Sequence, residues 1–451
     1  MTIARINTSY EKKYPTNYNF HFSNSLFAQD ALTFSDCLRL TLKNNLTLKS
    51  ALNNEKIASY QYKSSYGKLL PNVYGEAENR NSWGREIDQN TNQFVNQDLK
   101  IYSGRLNAVF NLFSGFSTIN TIKSTKEELK IQRINVKKVE NEISIDLAQK
   151  FITILYLQEI ITANKEQIQS SEKQLELAIL KFNSGVVAES EVFKIKSQKA
   201  REELNLITNE NRLVDNLISI KQLMNLPLEK EITLISPTTE ISKNNLLDES
   251  PYSLTKKAIE INPNYNLNVL RESKARTNLS LARSSLYPTL SLRFLAGSNY
   301  TANYFDDGAF ISNNDQIDLN YSRGLRLNLT IPIFSQMNTY SKIKTSKIGF
   351  KQSKLDTEIT KNYLSKEVLK AIADTKTALK KNESSSLGYE FSRKSYEADA
   401  LKFELGKINI TELNVTKIAY NNAQAELIQS KYELLFNNAL INFYLGDEFK
   451  L

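Results

Sequence analysis

The residues KFNSG at 181–185 return as KFELG at 402–406, which is 221 positions further along a chain of 451 residues. The pair FS at 113–114 returns at 334–335 with the same offset. Between Phe116 and Ser184 the chain contains neither Gly nor Pro. A glycine after so long an unbroken stretch is typical of a helix end that turns back on itself. The sequence therefore predicts two long helical hairpins in tandem.

A second duplicated motif precedes each hairpin, because LLP at 69–71 corresponds to LYP at 286–288 with an offset of 217. Proline disfavours the helical conformation of the residue before it, so we expect strands after both motifs. The predicted strands are at about 71–84, 99–113, 288–297 and 323–334.

The two offsets divide the chain into two structural repeats of the same design. Each repeat is predicted to contain a helix, a strand pair, a long helix and a return helix. The predicted parts are an N-terminal segment, 1–31, that could be a targeting or a disordered segment, the repeats at 32–228 and 250–446, a linker at 229–249 and a tail at 447–451.

The predicted strands alternate between apolar and polar residues, as in Leu290, Leu292 and Phe294 with Ser291 and Arg293 between them. A membrane barrel requires this period of two, with lipid on one face and water on the other. Solvent-facing hairpins on a soluble domain would also alternate. Four strands cannot close a barrel, so a membrane protein of this kind must oligomerise. Two copies would give eight strands with a filled interior, and three would give twelve with a lumen.

Composition excludes several classes of function. Cys37 and His21 are the only residues of their types, which argues against metal sites, Cys/His nucleophile pairs and disulfides. We therefore expect no cofactor and no enzymatic activity. The net charge of +9 comes from lysines interleaved with glutamates, the pattern of a solvated helix face rather than of a nucleic-acid site. The sequence contains no stretch of 18 or more apolar residues, so it does not predict a transmembrane helix.

The doubled Leu-x-Pro motif, long helix and aromatic-x-x-Gly turn resemble the TolC-like outer-membrane efflux protein family over residues 32–446. The resemblance implies a mostly α fold with a membrane β-barrel. In it, duplicated helical hairpins form an α-barrel across the periplasm, and four strands per chain contribute to a trimeric twelve-stranded barrel. It further implies a homotrimer in outer-membrane lipid that works with a periplasmic adaptor and an inner-membrane transporter. The function would be passive export in tripartite efflux or type I secretion. The alternative is a soluble coiled-coil scaffold.

The resemblance also implies an acidic constriction at the periplasmic end of the tunnel. The matching residue is Glu412, six positions after Gly406, and its first-repeat counterpart is Glu191. Three copies of Glu412 would form a ring that attracts cations. Alternatively, Asn409 and Glu412 have the spacing of a helix capping box without any gate. Val415 stands where the family commonly has a second acidic residue.

The two turns are candidate surfaces for docking the adaptor, because they place apolar side chains at a helical tip. Val186, Val187 and Ile408 could instead pack between neighbouring helices. The candidate docking residues are Phe182, Gly185, Val186, Val187, Phe403, Gly406, Lys407 and Ile408.

Overall fold

Two successive sets of the same elements run through the chain in the computed structural model. The structure describes residues 30–87, 92–96, 98–236, 249–302, 305–306 and 309–451. Most of the segment at 1–31 and most of the linker at 229–249 lie outside the described residues.

The sets differ mainly in their short elements. The first comprises β1 (Asp30–Leu32), α1 (Phe34–Asn44), α2 (Leu46–Gly67), β2 (Asn72–Ser82), β3 (Arg85–Ile87), β4 (Phe94–Asn96), β5 (Leu99–Ser114), α3 (Ser117–Asn183), α4 (Glu189–Leu223) and β6 (Ile232–Leu234). The second comprises α5 (Pro251–Ile261), α6 (Pro263–Arg283), β7 (Thr289–Thr301), β8 (Phe305–Asp306), β9 (Ala309–Phe310), α7 (Asn313–Leu319), β10 (Ser322–Thr330), α8 (Asn338–Glu404) and α9 (Ile410–Tyr444).

An asparagine separates the two helices that precede the strands in each repeat. The Asn45 side chain accepts a hydrogen bond from Leu48 N at 3.1 Å and so caps α2. The Asn262 side chain likewise accepts one from Asn264 N at 2.8 Å. Pro263, in the first turn of α6, lacks only an N–H that would have no partner within the helix. These caps break each predicted single helix into two.

Four strands form one antiparallel sheet in the order β10-β7-β5-β2. Its register aligns residues in rows that cross all four strands. One row consists of Val73, Ala108, Phe294 and Leu325. The adjacent row, on the opposite face, consists of Asn72, Val109, Arg293 and Arg326. One face of the sheet is therefore mostly apolar, and the other carries most of the charge.

Strand β5 departs from simple alternation near its end. Strict period two places Leu112 on the apolar face with Phe110, but the register shifts between Asn111 and Phe113. Phe113, and not Leu112, is the partner of Leu290. An extra residue in one strand shifts all later side chains by one position, which single-strand alternation cannot reveal.

The outer strands of the sheet are the most exposed ones. Every residue of β10 is exposed, and so is every residue of β2 except Ser82. Several residues of β5 and β7 are buried or half-buried. The sheet thus ends in two open edges, each with backbone groups that a further strand could pair.

Helix α7 is absent from the elements predicted from the sequence. It covers the part of β7 that extends beyond its partner β10. Pairing with β10 reaches only Gly297. Further along, Asn320 Nδ2 donates to Asn299 O at 2.9 Å. The buried Gln316 amide accepts from Thr301 N and donates to Thr301 O, at 2.8 and 3.1 Å. The side-chain amides of Gln316 and Asn320 therefore bond to backbone groups of β7 where pairing with β10 has ended.

The main hydrophobic core lies around the middle of α3 and includes both ends of the described chain. Phe34 packs edge-on against Phe151 with ring centroids 5.5 Å apart, and Phe449 packs beside Phe34. The parallel pair β1–β6 borders this core. Cys37 is fully buried there, and burial raises the pKa of its thiol to about 12. Cys37 is thus a packing residue.

An apolar stripe along α3, with spacings of three and four residues, is buried in the middle of the helix but not at its tip. Leu147, Phe151 and Ile154 are fully buried, whereas Ile179 and Phe182 are exposed. A straight α-helix turns once per 3.6 residues, so a stripe of shorter period drifts round the helix over this length. Among the described residues, none of the helices has both the length and the apolar character of a membrane span.

Candidate periplasmic tip

The turns at the far end of the two hairpins have the same geometry. In the first, Gly185 N donates to Phe182 O at 2.9 Å and Val186 N to Lys181 O at 2.9 Å. In the second, the equivalent bonds of Gly406 and Lys407 measure 3.0 and 2.8 Å. Both glycines have a φ of +73°. This is the Schellman arrangement, which satisfies the last carbonyls of a helix and needs a left-handed residue.

Substituting either turn glycine is expected to destabilise the tip. Gly185→Ala or Gly406→Ala should each cost about 1–2 kcal/mol, because an L-residue is strained in the left-handed region. The new methyl group itself would have no neighbour within 4 Å at either position. Thermal unfolding followed by circular dichroism measures the effect. The control is Gly388→Ala inside α8, equally uncrowded, which should instead stabilise by up to about 1 kcal/mol. Equal effects at the three positions would contradict this account.

Glu412 is exposed in the first turn of α9 and is held by the residue that caps that helix. Asn409 Oδ1 accepts from Glu412 N at 3.0 Å, and Asn409 Nδ2 donates to Glu412 Oε1 at 2.7 Å. Asn409 and Glu412, whose spacing predicted a helix cap, therefore do cap the N-terminus of α9. Its counterpart Glu191 is half-buried, and α4 starts after Ala188 without a side-chain cap. The two carboxylates thus occupy different environments.

The two turn phenylalanines are not equivalent in the structure. Phe403 is only 4% exposed and packs with Ala178, Val192 and Ile410 in a core at the tip, whereas Phe182 is 40% exposed. Ile408 is half-buried against the same core. Phe403 therefore offers no docking surface, and Ile408 offers little, because both hold the hairpins together. Phe182, Gly185, Val186, Gly406 and Lys407 are exposed, and Val187 is half-buried.

Lysines from the first repeat reach the second repeat at the tip. Lys181 Nζ donates to Phe403 O at 2.8 Å and lies 4.6 Å from the centroid of the Phe403 ring. A cation is favourable here, at the C-terminal end of α8. Lys194 Nζ donates to Thr411 Oγ1 at 3.1 Å. The ends of the two hairpins are thus joined by polar contacts within one chain.

A comparison with protein-family models identifies the chain. The model described as "Outer membrane efflux protein" matches residues 37–226 and 254–447, which together cover most of both repeats. The chain belongs to the outer membrane efflux protein family. The family resemblance drawn from the sequence is confirmed.

This efflux family protein is similar in sequence to one known outer membrane protein and similar in fold to several. The chain is 23% identical over 300 residues to outer membrane protein TolC of Vibrio cholerae, an alignment that spans 64% of each protein. Its fold is similar to that of the outer membrane protein VceC of Vibrio cholerae, with a TM-score of 0.78 at 13% identity, covering 92% of this chain and 97% of VceC. It is also similar to the Campylobacter jejuni CmeC outer membrane channel, with a TM-score of 0.77 at 17% identity, covering 100% and 95%.

These findings confirm the predicted fold class and location. The efflux family protein is mostly α, with long duplicated hairpins and a four-stranded share of a membrane barrel. It resides in the bacterial outer membrane, and its helical part lies in the periplasm. The family is one of channel and transport proteins. A soluble coiled-coil scaffold is not favoured.

One polar cluster of the efflux family protein lies inside the helical part, at residues for which the sequence predicted no site. The Lys417 ammonium, on α9, lies 3.2 Å from Glu202 Oε1 on α4 and donates to Ser171 Oγ on α3. Ser171 in turn donates to Glu202 Oε2, and Gln198 Nε2 donates to Glu202 Oε1 at 3.0 Å. Lys417 and Glu202 are almost fully buried. Burial lowers the pKa of Lys417, and the neighbouring Glu202 partly opposes this effect.

Proposed function

We propose that this protein is a passive conduit for export across the outer membrane, the channel component of a tripartite efflux or type I secretion system. The observation that carries the proposal is that two strands of an open-edged sheet, β5 and β10, are each followed after a short connection by a helix of 67 residues. At about 1.5 Å per residue each helix is about 100 Å long. A membrane sheet extended by helices of that length suits a tunnel through the periplasm.

The two faces of the sheet support its placement in lipid. The apolar face carries Leu290, Leu292 and Phe294 of β7 beside Leu329, Leu327 and Leu325 of β10. The opposite face pairs Arg293 with Arg326 and Ser291 with Asn328. A barrel built from this sheet would present hydrocarbon to lipid and charge to a water-filled lumen.

The open edges support assembly as a homotrimer. Unpaired backbone groups are not tolerated in hydrocarbon, so β2 and β10 must pair with strands of other copies. Three copies would supply twelve strands, enough to enclose a lumen.

A second exposed surface, on helix α8, agrees with assembly from several copies. Exposed apolar residues follow one side of α8 at spacings of seven, four and four: Ile348, Leu355, Ile359 and Tyr363.

The helical tips are proposed to dock a periplasmic adaptor that links the channel to an inner-membrane transporter. The exposed side chains of Phe182 and Val186 at the first turn, and Lys407 at the second, are available for such a contact. Gly185 and Gly406 shape the turns, and Val187 contributes part of its surface. Phe403 and Ile408 are omitted, because they are engaged in the core at the tip.

Glu412 is proposed to make the periplasmic end of the tunnel prefer cations, with Glu191 as a weaker contributor because it is half-buried. Glu412→Gln keeps a group that can pair with Asn409 but removes one charge per copy. The cation-to-anion permeability ratio should fall about fivefold, equivalent to about 1 kcal/mol for a unit charge near a permeating ion in water. Reversal potentials across planar bilayers under a salt gradient measure the ratio. The control is Glu397→Gln on α8. Glu397 Oε1 lies 3.8 Å from Arg393 Nε, so the charge of this carboxylate is already paired. A ratio unchanged by Glu412→Gln would refute this role.

The conduit itself is tested by adding purified protein to a planar bilayer and recording single-channel currents. We expect stepwise, ohmic conductance, because a water-filled tunnel needs neither nucleotide nor cofactor. If the assembled, detergent-extracted protein inserts into the bilayer without conductance, the conduit proposal fails.

A further inference from the structure

Four basic residues recur at the membrane end of both long helices. They lie at equivalent positions of α3 and α8, 221 apart, with spacings of three, four and three. The basic belt, as we name this set, consists of Lys123, Lys126, Lys130 and Arg133 on α3 and Lys344, Lys347, Lys351 and Lys354 on α8. Such spacings keep all four side chains of each helix on one face.

The belt is exposed and poorly neutralised by acidic residues. All eight side chains are exposed. Residues 338–355 of α8 include no Asp or Glu. On α3, Glu128 forms an ion pair with Lys274, and Glu127 accepts a hydrogen bond from Ser273 at 2.9 Å, both on α6. Within the belt, Arg133 pairs with Glu55 at 3.1 Å. The belt therefore keeps a net positive charge.

The packing of α3 indicates that its belt residues face away from the tunnel axis. Thr125 donates to Ser65 on α2, and Ser124 donates to Asn278 on α6, at 3.0 and 2.8 Å. At about 100° per residue, these contacts lie on the side of α3 opposite Lys123 and Lys126. In a closed ring of helices both neighbours are displaced toward the axis, so the opposite face points outward. The repeat gives α8 the same orientation.

The height of the belt places its upper rows near the membrane surface. Exposed aromatic side chains, among them Phe116, Tyr287 and Phe334, surround the junction between strands and helices. Aromatic collars of this kind mark the interface between hydrocarbon and water. Lys123 and Lys344 each follow the N-cap of their helix by seven residues, or about 10 Å. Lysine side chains at this distance can extend toward headgroups.

We propose that the basic belt binds the phosphate groups of anionic phospholipids in the periplasm-facing leaflet of the outer membrane. Exposed ammonium groups on two helices per copy, just below an aromatic collar, are complementary to a negatively charged headgroup layer. The upper rows, Lys123, Lys126, Lys344 and Lys347, make the contact. The lower rows lie about 20–25 Å from the junction and add attraction that salt screens more strongly. The inference goes beyond the conduit function, and it rests on the proposed ring of helices and on the orientation of the barrel in the membrane.

The test uses the assembled full-length protein reconstituted in vesicles of phosphatidylcholine with a minor fraction of phosphatidylglycerol. After re-extraction in mild detergent, mass spectrometry gives the ratio of the two lipids that remain bound. Wild-type protein should retain phosphatidylglycerol about fivefold above its bulk fraction, the fold-change equivalent to the attraction of about 1 kcal/mol that one lysine contributes near a charged surface. High salt should reduce the enrichment.

A quadruple variant, Lys123→Gln, Lys126→Gln, Lys344→Gln and Lys347→Gln, should lower the ratio to that of the bulk membrane. The same four positions changed to Arg should keep the enrichment. A control that removes four exposed lysines nearer the tip, Lys173→Gln, Lys196→Gln, Lys376→Gln and Lys380→Gln, should also keep it. Unaltered single-channel conductance shows that each variant is assembled and separates this test from that of the conduit.

Three results would overturn the proposal: enrichment that survives the quadruple Gln variant, equal loss in the tip control, or failure of the Arg variant to restore it. Competition provides a further arm. Inorganic phosphate added at constant ionic strength should leave the bound lipid ratio unchanged. If it abolishes the enrichment, the belt is a site for free anions in the periplasm and not for lipid.

Discussion

Leu327→Arg is expected to remove most of the assembled protein from the outer membrane. Leu327 lies in the middle of the apolar face of β10, paired with Leu292. An arginine on the lipid face near the bilayer midplane costs about 2–4 kcal/mol, and a homotrimer would carry three. The loss is comparable to the whole stability of many domains. The measurement is the fraction of protein recovered as assembled particles from the outer-membrane fraction.

The neighbouring substitution Asn328→Arg is the matched control. Asn328 is on the same strand and is also exposed in the single chain, but it lies on the charged face beside Ser291. An added arginine there would face the lumen and should leave assembly nearly unchanged. If both substitutions were tolerated, or if Asn328→Arg were the more damaging, the assignment of the faces to lipid and water would be wrong.

Lys417→Ala is expected to destabilise the helical part by about 3–5 kcal/mol, because it leaves Glu202 buried without its ionic partner. The remaining bonds to Glu202, from Ser171 and Gln198, do not neutralise its charge. Since the cluster joins α3, α4 and α9, its loss should loosen the contact between the two hairpins. Denaturant unfolding followed by circular dichroism measures the free energy change.

Two comparisons make this result specific. Lys196, the first-repeat counterpart of Lys417, is exposed on α4, and Lys196→Ala should change the unfolding free energy by less than about 0.5 kcal/mol. The double substitution Lys417→Met with Glu202→Leu removes both charges and should recover most of the loss. A double variant as unstable as Lys417→Ala would show that packing volume, and not the unpaired charge, determines the effect.

Duplication explains why the architecture could be predicted from the sequence. The turn at Gly185 recurs at Gly406, and both glycines adopt the same left-handed conformation. The scarcity of helix breakers predicted α3 and α8, and period-two alternation predicted the apolar face of the sheet. These signals are local and occur twice in the chain, so each supports the other.

The remaining features depend on contacts between distant residues. The bulge in β5 is visible only in the pairing of β5 with β7. Phe182 and Phe403 occupy equivalent positions in the repeat, yet only Phe403 is covered, because the tip core forms on one side of the paired hairpins. The ion pair of Lys417 and Glu202 had one signal in the sequence. Lys417 lies four residues after Leu413, where the apolar spacing of α9 would place a buried residue.

The central claim is that copies of this chain close a twelve-stranded barrel, and the mass of the detergent-extracted particle tests it most directly. Light scattering, with the detergent contribution subtracted, should give three times the 51.6 kDa of one chain, less any targeting segment removed from it. Extraction from the outer-membrane fraction should require detergent. A particle of one or two chains, or a protein released without detergent, would contradict the account.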